Sequence, residues 1–238
     1  MKTDESTSTG GRPARTPLSR ERVLTAAAAM ADAEGLAAVT MRRLAAELGV
    51  EAMSLYHHLP GKGGLLDGLV ERVAGEIADA AATAVGALGA DDSDWRHVVR
   101  ARILAARSVM LRHPWAPGLI ASRPSIPAPV FLLYEEVLGA MIRGGCSYHL
   151  AHRAMHSLGS MVLGFAQELF SPAAAGGDLE PDRAEAELAA MAEVLPYTTA
   201  MVANEMHAAD DPTLGWCDGQ SEFEFTLDLL LDGLARAA

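Results

Sequence analysis

The sequence predicts an all-α protein, with a small N-terminal head of three helices and a larger helical body. Three observations carry that prediction. Hydrophobic residues make up 50% of the chain but aromatics only 5%, and alanine and leucine, both good helix formers, dominate the apolar fraction. No run of valine, isoleucine, threonine and tyrosine has the two-residue rhythm of a strand. Glycines and prolines punctuate apolar stripes that recur at helical spacing.

Taken in order, residues 1–17 are polar and rich in Ser, Thr, Gly and Pro, too poor in apolar surface to order themselves. They are expected to form an arm, usually solvated, whose Arg12 and Arg15 are placed to reach a minor groove if the head meets DNA. Ser19 is a good N-cap for a first helix with Val23, Leu24, Ala27 and Met30 inward, and Gly35 ends it. Thr40 caps a second helix over 41–48, Gly49 supplies a turn, and a third helix starts near Glu51 and stops before Pro60. A long helix follows from Lys62 through Leu65, Leu69, Val73 and Ile77. Further helices are expected over 95–113, in one short piece between the prolines of "HPWAPGLIASRPSIPAP", and over 129–144, 148–170, 183–195, 196–207 and 222–236.

Bulk properties exclude several functions. The two cysteines, Cys146 and Cys217, form no disulfide framework and no metal-binding spacing. No charged segment precedes an apolar export core, and the most apolar stretch, 155–170, is interrupted by His156, Gln167 and Glu168. A cytoplasmic protein that does not enter a membrane is the expectation. Paired nucleophile and base are missing, so no enzyme activity and no cofactor are expected. His149, His152 and His156 lie roughly along one helix face, but no cysteine or paired carboxylate accompanies them, and they are read as packed or solvated rather than as metal ligands.

Net charge is −12, which argues against a polyanionic partner until its distribution is considered. Residues 1–62 hold eight Lys/Arg against seven Asp/Glu, whereas the remainder holds eleven against twenty-four. The head can approach a polyanion that the body repels. Within it, "LGVEAMSLYHHLPGK" (48–62) joins two short helices through a glycine turn, the arrangement of a helix-turn-helix. Leu55 is expected to point into the core and Ser54, Tyr56, His57 and His58 to face out. A recognition helix is short and polar because it must fit a groove.

The stretch "VTMRRLAAELGVEAMSLYHHLPGKGGLLDGLV" resembles the DNA-binding head of the tetracycline-repressor (TetR) family of transcription regulators. The stretches "SDWRHVVRARILAARSVMLRHPW", "RGGCSYHLAHRAMHSLGSMVLGFAQELF" and "FEFTLDLLLDGLARA" resemble the tetracycline-repressor type of C-terminal domain. The resemblance implies a flexible arm (1–17), a helix-turn-helix head (18–65) and a ligand-binding and dimerisation domain (66–238). It also implies a homodimer on a double-stranded DNA operator, each subunit placing its third helix in the major groove. Base or groove contacts then fall on Arg42, Ala52, Met53, Ser54, Tyr56 and His57, and phosphate contacts on Thr40, Tyr56, His58 and Lys62. An arginine grips guanine O6 and N7 bidentately, and a lysine at a helix N-terminus adds charge where backbone N–H groups already attract phosphate. Ala52 departs from the pattern, since a longer polar side chain often reads a base there.

For the body the resemblance implies an effector site around Arg102, Trp115, Leu119, Ser122, Arg123, Tyr134, Leu138, His156, Ser160, Gly164 and Glu168. His156, Ser160, Leu163, Gly164 and Glu168 recur near helical spacing and are expected to share one face. In the tetracycline-binding branch a histidine shortly before Arg-Pro holds a magnesium chelate; here that place is Leu119 or Ile120. Arg102 stands where that branch has a neutral amide. An apolar or acidic organic effector is therefore expected, with Arg102 or Arg123 facing an anionic group and no metal. The helices at 148–170 and 222–236 are expected to form the dimer interface, with Gly159 and Gly164 permitting close approach and Leu227, Leu230, Leu231 and Leu234 as the sticky stripe. The competing reading is a helical ligand-binding or enzymatic protein whose head does not bind DNA.

Overall fold

The computed structural model describes residues 17–89, 94–165, 189–208 and 219–238. All regular structure among them is helical: α1 (Arg20–Glu34), a 3-10 turn (Leu36–Ala38), α2 (Met41–Leu48), α3 (Ala52–Tyr56), α4 (Gly61–Gly86), α5 (Trp95–Arg112), α6 (Ala116–Ala121), α7 (Ala128–Arg143), α8 (Tyr148–Phe165), α9 (Pro196–Ala208) and α10 (Gly219–Ala237).

Local chemistry sets the head's boundaries. The Ser19 hydroxyl accepts from the Arg22 N–H at 3.2 Å and the Thr40 hydroxyl from the Arg43 N–H at 3.2 Å, each satisfying a donor with no partner inside its helix. At the end of α2, Gly49 adopts φ +65°, and the N–H groups of Gly49 and Val50 fold back onto the carbonyls of Ala46 and Ala45. That left-handed closure strains any residue with a Cβ. α3 is shorter than expected and closes at Tyr56. The N–H groups of His58 and Leu59 both reach the Leu55 carbonyl, and this tightened turn sends Leu59 into the core just ahead of Pro60. α4 begins at Gly61, one residue before Lys62.

Two apolar cores are stacked along α4. The head core gathers Val23, Leu24, Ala27, Leu44, Leu55 and Leu59 around Leu65, Leu69, Val70 and Ala74 of α4. The body core starts at Val73 and Ile77 of the same helix and continues through Val99, Met141, Leu158, Phe223 and Leu227. No chain break marks the boundary near residue 66, because one continuous helix serves both cores. One arginine is buried in the body: Arg107 is 4% exposed, donates to the Gln220 side chain at 3.0 Å and to the Gly219 carbonyl at 2.5 Å, and lies 4.5 Å from the Phe223 ring centroid. It ties α5 to the start of α10.

The final helix corrects one expectation. Leu227 and Leu231 are buried within their own subunit, and Leu230 and Leu234 pack beside them, so that stripe closes the body core. The apolar side chains that α10 leaves exposed are Phe225 and Leu229. Among the described residues, no helix is long and apolar enough to cross a membrane. Cys146 is buried, and burial pushes its thiol pKa up; Cys217, like Arg12 and Arg15, lies outside the described residues.

Candidate DNA-binding face and effector cavity

Leu55 anchors α3 in the head core, and Ala52 packs against the same core. Leu55 is fully buried, and successive residues turn about 100° around the helix axis. Met53, two positions back, therefore projects away from the core and is 69% exposed. Tyr56 and His57 are exposed, and Ala52, Ser54 and His58 are half-buried. α2 packs against α3 and contributes exposed Thr40 and Arg42 at its N-terminal end; exposed Lys62 stands in the first turn of α4. The neighbouring cations are occupied: Arg43 makes two bonds to Glu34 at 2.8 and 2.9 Å, and Arg20 pairs with Glu71. Arg42 and Lys62 have no ion pair among the described residues. All nine head residues singled out in the sequence thus stand on α2, α3, the turn after it and the start of α4, none of them buried.

In the body, α4, α5, α6, α7 and α8 line a cavity of about 120 Å³. Its wall is apolar: Ala74, Ile77 and Ala81 from α4, Ile103, Ala106 and Met110 from α5, Ile120 from α6, Val130, Leu133 and Val137 from α7, and Met155, Leu158, Gly159, Val162 and Leu163 from α8. Two lining residues have polar side chains, Arg102 and Tyr134. The Arg102 side chain is 15% exposed; its Nη2 donates to Glu136 Oε2 at 2.5 Å, and its buried Nε has no hydrogen-bond partner.

Of the effector residues expected from the sequence, Arg102, Tyr134 and Leu163 line this cavity. His156, Ser160 and Gly164 lie on the exposed side of α8. The lining face is Met155, Leu158, Gly159 and Val162, one position earlier in the helical repeat, and a shift of one residue turns a face by about 100°. Leu138 packs on the body core outside the cavity, and Glu168 lies outside the described residues. His152 and His156 stack edge-on with centroids 4.8 Å apart on the same exposed side as His149. The remaining lining residues of α8 carry a legible signal in the sequence, an i, i+3, i+4, i+7 stripe of Met155, Leu158, Gly159 and Val162 beside the polar face.

Trp115, Leu119, Ser122 and Arg123 serve a different purpose. The Ser122 hydroxyl donates to the Leu119 carbonyl, closing α6. The other three bind α6 and its approach to the head. Leu119 is buried in the head core, while the next residue, Ile120, lines the cavity. Trp115 Nε1 donates to Asp32 of α1 at 2.6 Å, and Arg123 Nη2 lies 2.7 Å from Asp67 of α4. Just before α6, buried His113 lies with Nδ1 2.7 Å from Asp32 and Nε2 3.0 Å from Glu76. Burial alone would raise the Glu76 pKa, but the His113 hydrogen bond, with the charges of His113, Arg72 and Arg112, outweighs it and holds the carboxyl below the usual range. One six-residue helix thus touches the cavity on one side and is strapped to the head on the other.

This geometry agrees with likenesses to known proteins. Residues 23–69 match the family profile described as "Bacterial regulatory proteins, tetR family", and residues 88–237 match "Tetracyclin repressor-like, C-terminal domain". The chain is 41% identical over 133 residues to the HTH-type transcriptional repressor DrrR1 of Streptomyces coeruleorubidus, covering 55% of this chain and 47% of that protein. It is 31% identical over 96 residues to the class D tetracycline repressor protein of Escherichia coli, covering 40% and 41% of the two. The chain spans about half the length of the curated relatives it matches. A solved structure of a possible TetR family transcriptional regulator from Streptomyces coelicolor A3(2) superimposes with a TM-score of 0.72 at 28% identity, over 92% of this chain and 100% of that one. The helix-turn-helix head, the all-helical body and these matches lead to one conclusion: the chain belongs to the tetR family of bacterial regulatory proteins, with a tetracycline-repressor-like C-terminal domain.

Proposed function

We propose that the protein is a transcriptional repressor that releases its operator when a small organic effector enters the body cavity. The observation that carries this reading is that cavity and head share elements: α4 lines the cavity with Ala74, Ile77 and Ala81 and anchors the head with Leu65 and Leu69, while Leu119 and Ile120 divide α6 between the two. At about 120 Å³ the cavity is below the roughly 300–1,000 Å³ of sites for drug-sized ligands, so such a guest must push its walls apart. Displacing α4 and α6 moves the head, and operator affinity falls by the difference in effector affinity between the two arrangements, typically about 1–3 kcal/mol. The action is binding, not catalysis, and takes place in the cytoplasm.

In this reading α3 enters the major groove with Ala52, Met53, Ser54, Tyr56 and His57, helped by Arg42, and Thr40, Tyr56, His58 and Lys62 hold phosphates. Two heads reach half-sites roughly 34–36 Å apart. The two-fold partner packs on α8 and α10, where Phe225 is 61% and Leu229 55% exposed, and where His156, Ser160 and Gly164 face outward. The relative named a transcriptional repressor supports the direction of regulation. The effector is a small, largely apolar organic molecule.

The test is a fluorescence-anisotropy titration of the purified protein with duplex DNA from upstream of its own reading frame, alongside scrambled duplex. The expected result is a preference of at least about a thousandfold for the upstream DNA, as specific binders show over non-specific DNA. A dimer by light scattering that Leu229→Glu dissociates is expected in parallel. Equal binding to both duplexes, or a monomer, overturns the reading.

A further inference from the structure

An arginine is unexpected in a largely apolar wall, yet Arg102 lines the cavity. Among the described residues Arg102 makes one ion pair, to Glu136, and that partner is itself 56% exposed. The Glu136 carboxylate regains its hydration readily, but its departure leaves a mostly buried guanidinium without a counter-anion, so it leaves at low cost only when another anion takes its place. Arg102 is not so free to leave. Its side chain is only 15% exposed, it forms part of the cavity wall, and its Nε is buried with no hydrogen-bond partner. Tyr134, on the same helix as Glu136, is the second lining residue with a polar side chain. Arg123, the other cation near this region, pairs with Asp67 and does not line the cavity.

We infer that Glu136 is a built-in stand-in for an acidic group of the effector, and that Arg102 is the residue that receives that group when the effector enters. The inference rests on the reading of the cavity as the effector site and narrows it: the effector has an apolar body carrying one anionic group, such as a carboxylate. A guest anion inside the cavity meets the guanidinium in a drier setting than Glu136 does, which strengthens their attraction, while burial of the guest's apolar body offsets the cost of drying its anionic group. The exchange also has a structural consequence. The Arg102–Glu136 pair ties α5 to α7, and the arriving anion cuts that tie as the guest forces the cavity open.

The test uses isothermal titration of the full chain with naphthalene-2-carboxylate and naphthalene-2-carboxamide, two probes of the same shape that differ in charge. The carboxylate is expected to bind at least about tenfold more tightly. Arg102→Met should bring the two probes within twofold of each other, with Arg102→Lys retaining part of the preference. Glu136→Gln, which removes the competitor without removing the receiver, should tighten carboxylate binding several-fold and leave the amide unchanged; a merely structural ion pair predicts no such gain. Equal binding of the two probes to the wild type, or weaker carboxylate binding to Glu136→Gln, overturns the inference while leaving the cavity reading intact. Failure of both probes to bind at millimolar concentration overturns the inference, and unchanged binding of the two probes to Gly159→Phe, which fills the cavity, overturns the cavity reading as well.

Discussion

His113 Nδ1 lies 2.7 Å from Asp32 Oδ1, and that contact spans 81 residues of sequence to join the helical head to the body. The same Asp32 oxygen also accepts from Trp115, and the other His113 nitrogen faces Glu76. The two ring nitrogens both face carboxylate oxygens, so one imidazole ring bridges the two acids. Truncating the ring leaves two acids turned toward a buried gap. His113→Ala is expected to lower stability by about 1–3 kcal/mol, read as a fall in the midpoint of urea unfolding. Asp32→Asn, which keeps an acceptor for Trp115, should cost less. An unchanged midpoint in His113→Ala would remove the strap from the account.

Glu76 gives the strap a pH dependence whose sign can be worked out. Its carboxyl pKa is lowered in the fold from an ordinary value of 4.5. A group whose folded value is depressed adds stability that is fully present above the unfolded value and is lost as pH falls through the folded one. Thermal midpoints of the wild type should therefore drop as pH falls from about 5 toward 3, and Glu76→Gln should drop less steeply over the same range. Parallel curves for the two proteins would rule out Glu76 as a contributor.

Two glycines, one capping α7 and one inside α4, should respond in opposite directions to alanine. A Cβ at Gly144, the C-cap of α7, would lie 2.6 Å from the Trp95 Cβ, and Trp95 is buried and cannot swing aside. A Cβ at Gly75, exposed within α4, meets nothing within 4 Å. Gly144→Ala is expected to destabilise by about 1–3 kcal/mol through overpacking. Gly75→Ala should stabilise by up to about 1 kcal/mol through helix propensity. Differential scanning calorimetry of the two variants decides the matter, and two shifts of the same sign would contradict the packing described.

The head cations separate positioning from reading. Lys62→Ala should weaken binding to all duplexes alike and reduce the slope of log K against log salt by about 1, the effect of one lost phosphate contact. Arg42→Ala should cost about 1–3 kcal/mol on the operator and relax the preference at one base position. Both follow from anisotropy titrations at several salt concentrations. A salt slope unaffected by Lys62→Ala would place that residue off the DNA.

The head was largely legible in the sequence because its signals are local. Ser19 and Thr40 as caps, Gly49 as the left-handed turn and Leu55 as the inward residue of α3 each depend on neighbours a few positions away. The end of α3 was less legible, since Leu59 turns inward to fill a core built by distant helices. In the body the helices were readable from their periodicity but the choice of face was not. On α8, polar His156 and Ser160 and apolar Met155 and Val162 both recur at helical spacing, and only packing against α4, α5 and α7 decides which side lines a cavity. The leucines of α10 are similar: periodicity shows a stripe, without showing whether it covers its own core or a partner.

By itself the sequence determined that the chain is helical, where most helices begin and end, and that its N-terminal part carries a helix-turn-helix. Helix formation, capping and tight turns are set by residues within one or two turns of each other. The tertiary structure decided the rest: that α4 runs through two cores, that α6 is strapped to the head through Asp32 and Asp67, and that Arg102 rather than Arg123 enters the cavity wall. These relationships join side chains tens of residues apart, and no local rule of spacing encodes which distant partner a side chain will meet.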